Sequence, residues 1–207
     1  LGKQDKPFFA IIQTADNHRP FTIPEEDRKE FSFVNLPDEE LNRNGFENNE
    51  ELNAFRFTDF CYRKFMEAAR KEKYFNNTIF VFIGDHGIRG NAGNLLPKAF
   101  TSKSLTSEHV PLLFYWPGNL DAKRINEVCS QVDILPSLAA LAKVPYRNNT
   151  FGRNLFASQQ ADTGRAKAKG KFAFIIDHDL KTIGLVSDKY YFIEDIKTGK
   201  KELVSVI

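Results

Sequence analysis

An aspartate and a histidine stand side by side in "TIFVFIGDHGIRGNAG", directly after a hydrophobic run. The run from Ile79 to Ile83 is made of β-branched and aromatic residues, which predicts a strand buried on both faces. Gly84 and Gly87 flank the polar pair, and glycine lets the backbone turn sharply. Neighbouring side chains point to opposite faces of a strand, so only such a turn lets Asp85 and His86 converge on one ion.

A carboxylate beside an imidazole is a donor pair for a divalent metal ion. It suits Zn²⁺ or Mn²⁺ better than Mg²⁺, which prefers an all-oxygen shell. In open α/β sheets, ligands bind at the carboxyl ends of strands, where this pair is expected. The residues alone leave a second interpretation open, in which Asp85 caps the following backbone amides and His86 is a surface histidine.

A second polar loop, "TADNHRPF", follows another predicted strand at Phe8 to Gln13. Arg19 could form a two-pronged contact with a phosphate or sulfate. His18 could hydrogen-bond an anionic oxygen or act as an acid or base. The alternative is a solvated loop, but two histidine-bearing loops after strands that should be adjacent favour a shared site.

The remaining pattern predicts an α/β fold. Apolar residues recur at helical spacing from about Glu50 to Lys73, between the two strands, which indicates a βαβ unit with a parallel strand pair. "HVPLLFYWPG" predicts a third core strand, bounded by prolines. Asp133 is expected to cap a short helix that ends before Pro145.

The carboxyl-terminal part has a different pattern. Residues 157–171 are small, polar and basic, which is typical of a surface linker. After them, short apolar runs alternate with turn residues, including "KTGK", and predict a small antiparallel sheet. The predicted organisation is therefore a domain at 1–156, a linker at 157–171 and a sheet at 172–207.

Composition excludes several classes of protein. Lys and Arg total 29 against 27 Asp and Glu, which is too balanced to indicate a nucleic-acid partner or a membrane surface. No apolar run is long enough to cross a bilayer. Cys61 and Cys129 lack metal-type spacing, and we expect both to be buried thiols.

Four stretches in order resemble a known family: "PFFAIIQTADNHRPFTIP", "NNTIFVFIGDHG", "HVPLLFYWPG" and "VDILPSLAALAKVPYRNNTFGRNLF". They are similar to successive motifs of the sulfatase-like branch of the alkaline phosphatase superfamily, above all in its lipoteichoic acid synthase and phosphoglycerol transferase group. The resemblance runs from Pro7 to Phe156. It implies an alkaline-phosphatase-like, mostly parallel central sheet flanked by helices, followed by a small antiparallel sheet.

The resemblance also implies roles for individual residues. It makes Asp85 and His86 metal ligands, with Mn²⁺ the expected ion and Zn²⁺ or Ca²⁺ the alternatives. It makes His18 a contact to the anionic head group of the substrate, beside Arg19. His109 corresponds to a position where some relatives have a basic residue facing the substrate, although it could equally be a histidine that only flanks a strand.

One part of the family pattern is not found in these residues. Relatives use a threonine nucleophile, or a formylglycine made from cysteine, on an amino-terminal segment that also carries further metal ligands. Neither "CYRKF" at Cys61 nor "CSQVD" at Cys129 fits a formylglycine context. We therefore expect a chain that is the carboxyl-terminal part of a longer protein, supplies no nucleophile and is inactive alone.

The resemblance predicts a metal-dependent transferase or hydrolase of phosphate esters, of the phosphoglycerol transferase type. Its substrate would be an anionic ester, and a lipid-linked one would fit. The full-length protein would act at the extracytoplasmic face of the membrane or in the periplasm, anchored by an upstream segment. A sulfatase is the near alternative, and a non-catalytic domain that binds a glycan or a protein is the alternative from another class.

Overall fold

The structure, a computed structural model, describes residues 2–3, 5–157 and 172–207. Within them the chain forms four α-helices and six β-strands, joined by loops and short 3-10 turns. The elements are α1 (Asp38–Arg43), α2 (Asn49–Ala69), β1 (Phe80–Ile83), α3 (Lys98–Ser102), β2 (Leu112–Tyr115), α4 (Ile134–Leu141), β3 (Ala173–Asp177), β4 (Thr182–Val186), β5 (Tyr190–Asp195) and β6 (Lys201–Ser205). All but the first residue of the predicted linker at 157–171 lies outside the described residues.

The chain divides into two compact units. The first comprises Leu1–Phe80, Asn91–Gly93 and Tyr115–Leu120. The second comprises Val81–Gly90, Asn94–Phe114 and Asp121–Ile207.

Helix α2 organises the first unit, as its helical spacing predicts. Phe57 and Phe60 on its buried face pack against Ile23 and Phe31, with the rings of Phe31 and Phe57 edge to face at 5.4 Å. Burial of each such side chain contributes about 2 to 3 kcal/mol. The apolar stripe of this helix therefore supplies the core of the unit.

Side-chain amides fix the chain that crosses α2. Asn53 accepts the N–H of Val34 at 3.0 Å and donates to its carbonyl at 2.8 Å. Asn49 makes the same pair of bonds to Leu36, at 2.8 and 3.0 Å. Because each amide supplies one acceptor and one donor, these two asparagines replace the neighbouring strand that an extended segment would otherwise need.

The small carboxyl-terminal sheet is confirmed. Strands β3, β4, β5 and β6 pair in chain order, all antiparallel. Gly199, at φ 69° in the turn before β6, fits the hairpin predicted at "KTGK". One face of the sheet buries Ile175 and Tyr191 against Ala99 and Leu105, so the sheet supports the segment around α3.

The predicted strands at Thr78 and Pro111 are present as β1 and β2, which pair with each other. The predicted strand at Phe8–Gln13 is wrong, since residues 7–15 have no regular structure. Phe9 and Ile11 are exposed, at 68% and 82%, and no described strand pairs with this segment. A strand requires a partner for its backbone N–H and C=O groups, and an apolar pattern alone does not supply one.

The helix predicted after Asp133 is confirmed as α4, but its cap differs from the prediction. The buried Asp133 carboxylate accepts the backbone N–H of Ser130 at 2.9 Å and of Arg153 at 2.8 Å. It makes no side-chain cap to the following helix. Asp133 closes a capping box with Ser130 around a 3-10 turn, Gln131–Asp133, and so binds backward along the chain.

Cys61 and Cys129 are both free thiols, but they are half-buried rather than buried as predicted. Burial raises the pKa of each thiol. Across the described residues, we find no helix with the length and apolar character needed to cross a bilayer.

Candidate functional site

Asp85 and His86 lie directly after β1, with both side chains facing solvent. The His86 side chain is 71% exposed and that of Asp85 is 80% exposed. Asp85 Oδ1 accepts the His86 backbone N–H at 2.9 Å, while Oδ2 lies 3.8 Å from His86 Nε2. The carboxylate thus caps one amide, as one interpretation of the sequence holds, and still presents an oxygen beside the imidazole.

The imidazole of His86 has a defined orientation. Its Nδ1 lies 2.8 Å from the carbonyl oxygen of Gly87. A carbonyl only accepts hydrogen bonds, so Nδ1 carries the proton and donates. The lone pair of the neutral ring is therefore at Nε2, the nitrogen nearest Asp85, and a backbone carbonyl on the other nitrogen is a common feature of metal-binding histidines.

The loop that follows the pair is tied down through its backbone. The N–H of Gly87 donates to Ser107 O at 2.7 Å, and the N–H of Gly90 donates to Thr106 Oγ1 at 3.2 Å. A Cβ atom added at Gly87 would lie 2.2 Å from the Thr106 carbonyl oxygen. Glycine is required there because the two backbone segments are in close approach.

A side chain that the sequence did not single out also holds this turn. Gln131 Nε2 donates to the carbonyl of Gly84 at 2.9 Å and to that of Asp85 at 2.7 Å. The residues that bond are 46 and 47 positions apart in the chain. The only local signal was the Ser130–Asp133 spacing of a capping box, which indicates a turn at Gln131 but not its partner.

Arg89 connects the same loop to the small sheet. Its guanidinium donates to both carboxylate oxygens of Asp177 at 3.1 Å and lies 3.1 Å from Asp179 Oδ2. Asp177 is buried, with 7% of its side chain exposed, and also accepts the N–H groups of Asp179 and Leu180. A single nitrogen, Arg89 Nη2, makes all three contacts, so the pairing is charge-assisted but lacks the two parallel bonds of a guanidinium fork.

Tyr191 lies in the core between the small sheet and the segment around α3. Burial, with the negative charges of Glu108 and Asp177, raises the pKa of Tyr191 to about 12. Its hydroxyl therefore stays protonated at neutral pH.

The donors present fit a divalent metal as two ligands of a larger set. A metal about 2.0 to 2.2 Å from each donor atom allows the donors to be up to about 4.4 Å apart, and Asp85 and His86 meet that limit at 3.8 Å. In the described part of the chain, no group of three or more His, Cys, Asp or Glu residues is placed to hold a metal ion. Tight sites usually have three or four protein ligands.

His18 and Arg19 lie in the first unit, on a loop whose side chains are engaged. Arg19 forms an ion pair with Glu47 and lies 5.9 Å over the ring of Phe21. His18 Nδ1 is 2.8 Å from the carbonyl of Arg19. Phe21 has a φ of 61°, a left-handed conformation that is uncommon for a bulky residue.

His109 is exposed and lies in the second unit. Its ring contacts Phe100 edge to face at 5.5 Å, and its backbone N–H donates to Leu105 O at 3.0 Å. Of the predicted site residues, Asp85 and His86 are thus brought into direct proximity. The roles predicted for His18, Arg19 and His109 stay predictions.

Comparison with known proteins agrees with the sulfatase-like branch of the alkaline phosphatase superfamily that the sequence motifs imply. The sulfatase family model matches residues 1–144, and the chain belongs to this family. The lipoteichoic acid synthases of Staphylococcus aureus strains USA300 and NCTC 8325 are each 27% identical to it over 163 residues, covering 75% of this chain. The match spans 24% of each synthase, so the chain spans about a quarter of the length of these relatives.

Solved structures confirm the fold class. A 2-O GAG sulfatase aligns with a TM-score of 0.50 and 18% identity, over 77% of this chain and 37% of that one. A Bacteroides thetaiotaomicron protein crystallised as a candidate sulfatase aligns with a TM-score of 0.53 and 17% identity, over 95% of this chain and 47% of that one. The wider second alignment extends the likeness over nearly the whole chain.

Proposed function

We propose that the chain carries the Asp85–His86 part of the active site of a metal-dependent enzyme that cleaves or transfers phosphate esters, of the phosphoglycerol transferase type. The observation that carries this proposal is the solvent-facing carboxylate and imidazole, 3.8 Å apart after β1. The similarity to lipoteichoic acid synthases over 75% of the chain supports the choice of phosphate esters. Mn²⁺ is the proposed ion, with Zn²⁺ and Ca²⁺ as alternatives.

The bound metal would supply positive charge to a nucleophilic oxygen and to the anionic oxygens of the ester. Asp85 would bind it through Oδ2, since Oδ1 accepts the His86 amide. His86 would bind it through Nε2, because Nδ1 holds its proton against the Gly87 carbonyl. Holding that proton keeps the ring in the tautomer that a metal requires.

His18 and Arg19 are proposed to bind the anionic head group of the substrate, with His109 as a further contact. The Arg19 guanidinium is paired with Glu47, so a substrate anion must compete with that carboxylate. Because the pair is exposed, the competition costs little. The nucleophile and the remaining metal ligands are proposed to come from a region upstream of residue 1, and this region would also hold the protein at the extracytoplasmic face of the membrane.

A chromogenic assay tests this function. The full-length protein and the 207-residue chain are stripped with a chelator and assayed on bis(p-nitrophenyl) phosphate and p-nitrophenyl sulfate, with Mn²⁺, Zn²⁺ or Ca²⁺ restored in turn. We expect only the full-length protein, and not the 207-residue chain, to cleave the phosphodiester, and we expect the highest activity with Mn²⁺. Comparable turnover by the 207-residue chain would show that it holds a complete site.

The second candidate, a sulfatase, is favoured by the match of the sulfatase family model to residues 1–144. Faster cleavage of the sulfate ester than of the phosphodiester would favour the sulfatase function. Failure to cleave either ester with any of the three metals would favour the non-catalytic binding domain.

Cell fractionation of the full-length protein tests the proposed location, which a cytosolic result would contradict.

A further inference from the structure

We propose that Gln131 is a positioning residue that holds the Asp85–His86 turn in the shape a metal ion requires, an inference that rests on the metal site proposed above. The turn itself provides few constraints on its side chains, which are 71% and 80% exposed. Its backbone must therefore be fixed from outside if the two donor atoms are to face one ion.

Gln131 is suited to that task because one amide nitrogen has two hydrogens. One points to the Gly84 carbonyl at 2.9 Å and the other to the Asp85 carbonyl at 2.7 Å. These carbonyls belong to the two consecutive peptide groups on either side of the Asp85 Cα atom. Holding both fixes the backbone torsions of Asp85, and thereby the direction of its carboxylate and of the peptide that leads to His86.

The backbone that carries Gln131 is itself anchored. Gln131 begins the 3-10 turn closed by the Ser130–Asp133 capping box. Asp133, 3% exposed, also accepts the N–H of Arg153 at 2.8 Å. A Cβ added at Gly152 would lie 1.9 Å from the Val132 carbonyl oxygen, so the chain after α4 packs directly on this turn. Although the Gln131 side chain is exposed, it extends from a turn that the buried, hydrogen-bonded Asp133 anchors.

No shorter or acidic residue could make both bonds. Asparagine is one methylene shorter, so its amide would not reach both carbonyls. The carboxylate of glutamate at neutral pH has no hydrogen to donate. A glutamate here would also face two carbonyl oxygens with a carboxylate. The Gln131→Glu variant therefore keeps the size of the side chain while removing the proposed function.

The experiment measures Mn²⁺ affinity of the full-length protein by the electron paramagnetic resonance signal of unbound Mn²⁺. Wild type is compared with Gln131→Glu, with His86→Ala, and with Asn126→Asp, which makes the same amide-to-acid change at an exposed residue of the same segment. Thermal melts establish that each variant is folded. In parallel, hydrogen exchange by mass spectrometry follows the peptide that covers residues 80–90.

We expect Gln131→Glu to weaken Mn²⁺ binding about tenfold or more, as loss of an outer partner of a metal ligand commonly does, with an unchanged melting temperature. Exchange across residues 80–90 should accelerate. Asn126→Asp should leave the affinity and the exchange as in wild type.

Two results separate failure of this inference from failure of the metal site. If Gln131→Glu binds Mn²⁺ as wild type does while His86→Ala does not, the role of Gln131 is wrong and the metal site stands. If wild type binds no Mn²⁺, or His86→Ala changes nothing, the metal site is wrong. In that case hydrogen exchange alone tests the role of Gln131. A faster exchange rate across residues 80–90 in Gln131→Glu supports the proposal that Gln131 holds the turn, and an unchanged rate overturns it.

Discussion

The two polar loops of this chain differ in how the side chains proposed for the site are engaged. The loop after β1 is fixed through its backbone, with Gly87 bonded to Ser107 and Gln131 bonded to two carbonyls, while Asp85 and His86 face solvent. The loop that carries His18 and Arg19 has two backbone hydrogen bonds of its own, at 3.0 Å each, and its side chains bond to distant residues. Arg19 pairs with Glu47, and Asn17 accepts a hydrogen bond from Thr58 at 2.5 Å.

This difference indicates different tasks. A loop with a fixed backbone and unoccupied donor atoms is preorganised for a small ligand such as a metal ion, because little ordering remains to oppose binding. A loop whose cation is already paired must exchange one anion for another, which suits a substrate that binds and leaves. The following predictions test that division, from the largest expected effect to the smallest.

Removing a histidine from each loop should affect catalysis differently. His86→Ala should lower kcat of the full-length protein by at least about a thousandfold, because the proposed metal would supply several kcal/mol of transition-state stabilisation. His18→Ala should mainly raise KM, by roughly tenfold, for the loss of one hydrogen bond to an anion. Steady-state kinetics on the phosphodiester measure both, and His178→Ala, at an exposed histidine in the turn after β3, is the control. Equal effects of the two substitutions on kcat would remove the distinction between the loops.

The glycines of the first loop provide a matched pair. Gly87→Ala places a methyl group 2.2 Å from the Thr106 carbonyl oxygen, whereas Gly90→Ala meets no atom within 4 Å. We expect Gly87→Ala to lower the free energy of unfolding by about 1 to 3 kcal/mol and to weaken Mn²⁺ binding. Gly90→Ala should change stability by no more than about 0.5 kcal/mol. Urea titrations compare them, and equal stabilities would mean that the close approach at Gly87 does not constrain the loop.

Alkaline pH should destabilise the core of the small sheet through Tyr191. Its pKa of about 12 in the folded chain exceeds the value of about 10 expected when unfolded. The stability that its protonated hydroxyl contributes is complete below pH 10 and is lost as pH rises toward 12, because the unfolded chain releases the proton first. Wild type should lose about 1 to 3 kcal/mol more than Tyr191→Phe over this range. Urea titrations at pH 9, 10 and 11 measure this, and a difference in free energy of unfolding between the two proteins that stays the same at all three pH values would contradict it.

The smallest effect is expected from breaking the ion pair between Arg19 and Glu47. Glu47→Gln should leave stability within about 0.5 kcal/mol of wild type, since the ion pair is exposed, and should lower KM for the phosphodiester about two- to threefold by freeing the guanidinium for the substrate anion. Glu39→Gln, which removes another exposed ion pair, with Arg43, is the control. A KM that rises in Glu47→Gln would show that the pair orients Arg19 rather than occupying it.

Sequence patterns predicted the elements whose signals are local. The apolar spacing of α2 and the alternation in β3 to β6 each express one periodicity over a short window. The predicted strand at Phe8–Gln13 was wrong because its pattern cannot show whether a partner strand exists. The helix after Asp133 was predicted correctly, but the role of Asp133 as its cap was wrong, since its carboxylate binds Ser130 and Arg153, the latter 20 residues away.

The candidate site shows the same difference between local patterns and contacts that are distant in sequence. Asp85 and His86 are recognisable because adjacent residues between glycines form a local pattern. Gln131 and Asp177 are not recognisable, since their partners lie 46 to 88 positions away in the chain. The occupation of Arg19 by Glu47, 28 positions away, is of the same kind. Candidate ligands can thus be proposed from a local sequence pattern, whereas the distant residues that hold them cannot.

The most direct test of a metal held by Asp85 and His86 is anomalous diffraction from crystals of the full-length protein soaked in Mn²⁺, recorded on both sides of the manganese absorption edge. We predict an anomalous peak about 2.0 to 2.3 Å from Asp85 Oδ2 and His86 Nε2, which disappears in His86→Ala. A peak that avoids both residues, or one that survives in His86→Ala, would contradict the account.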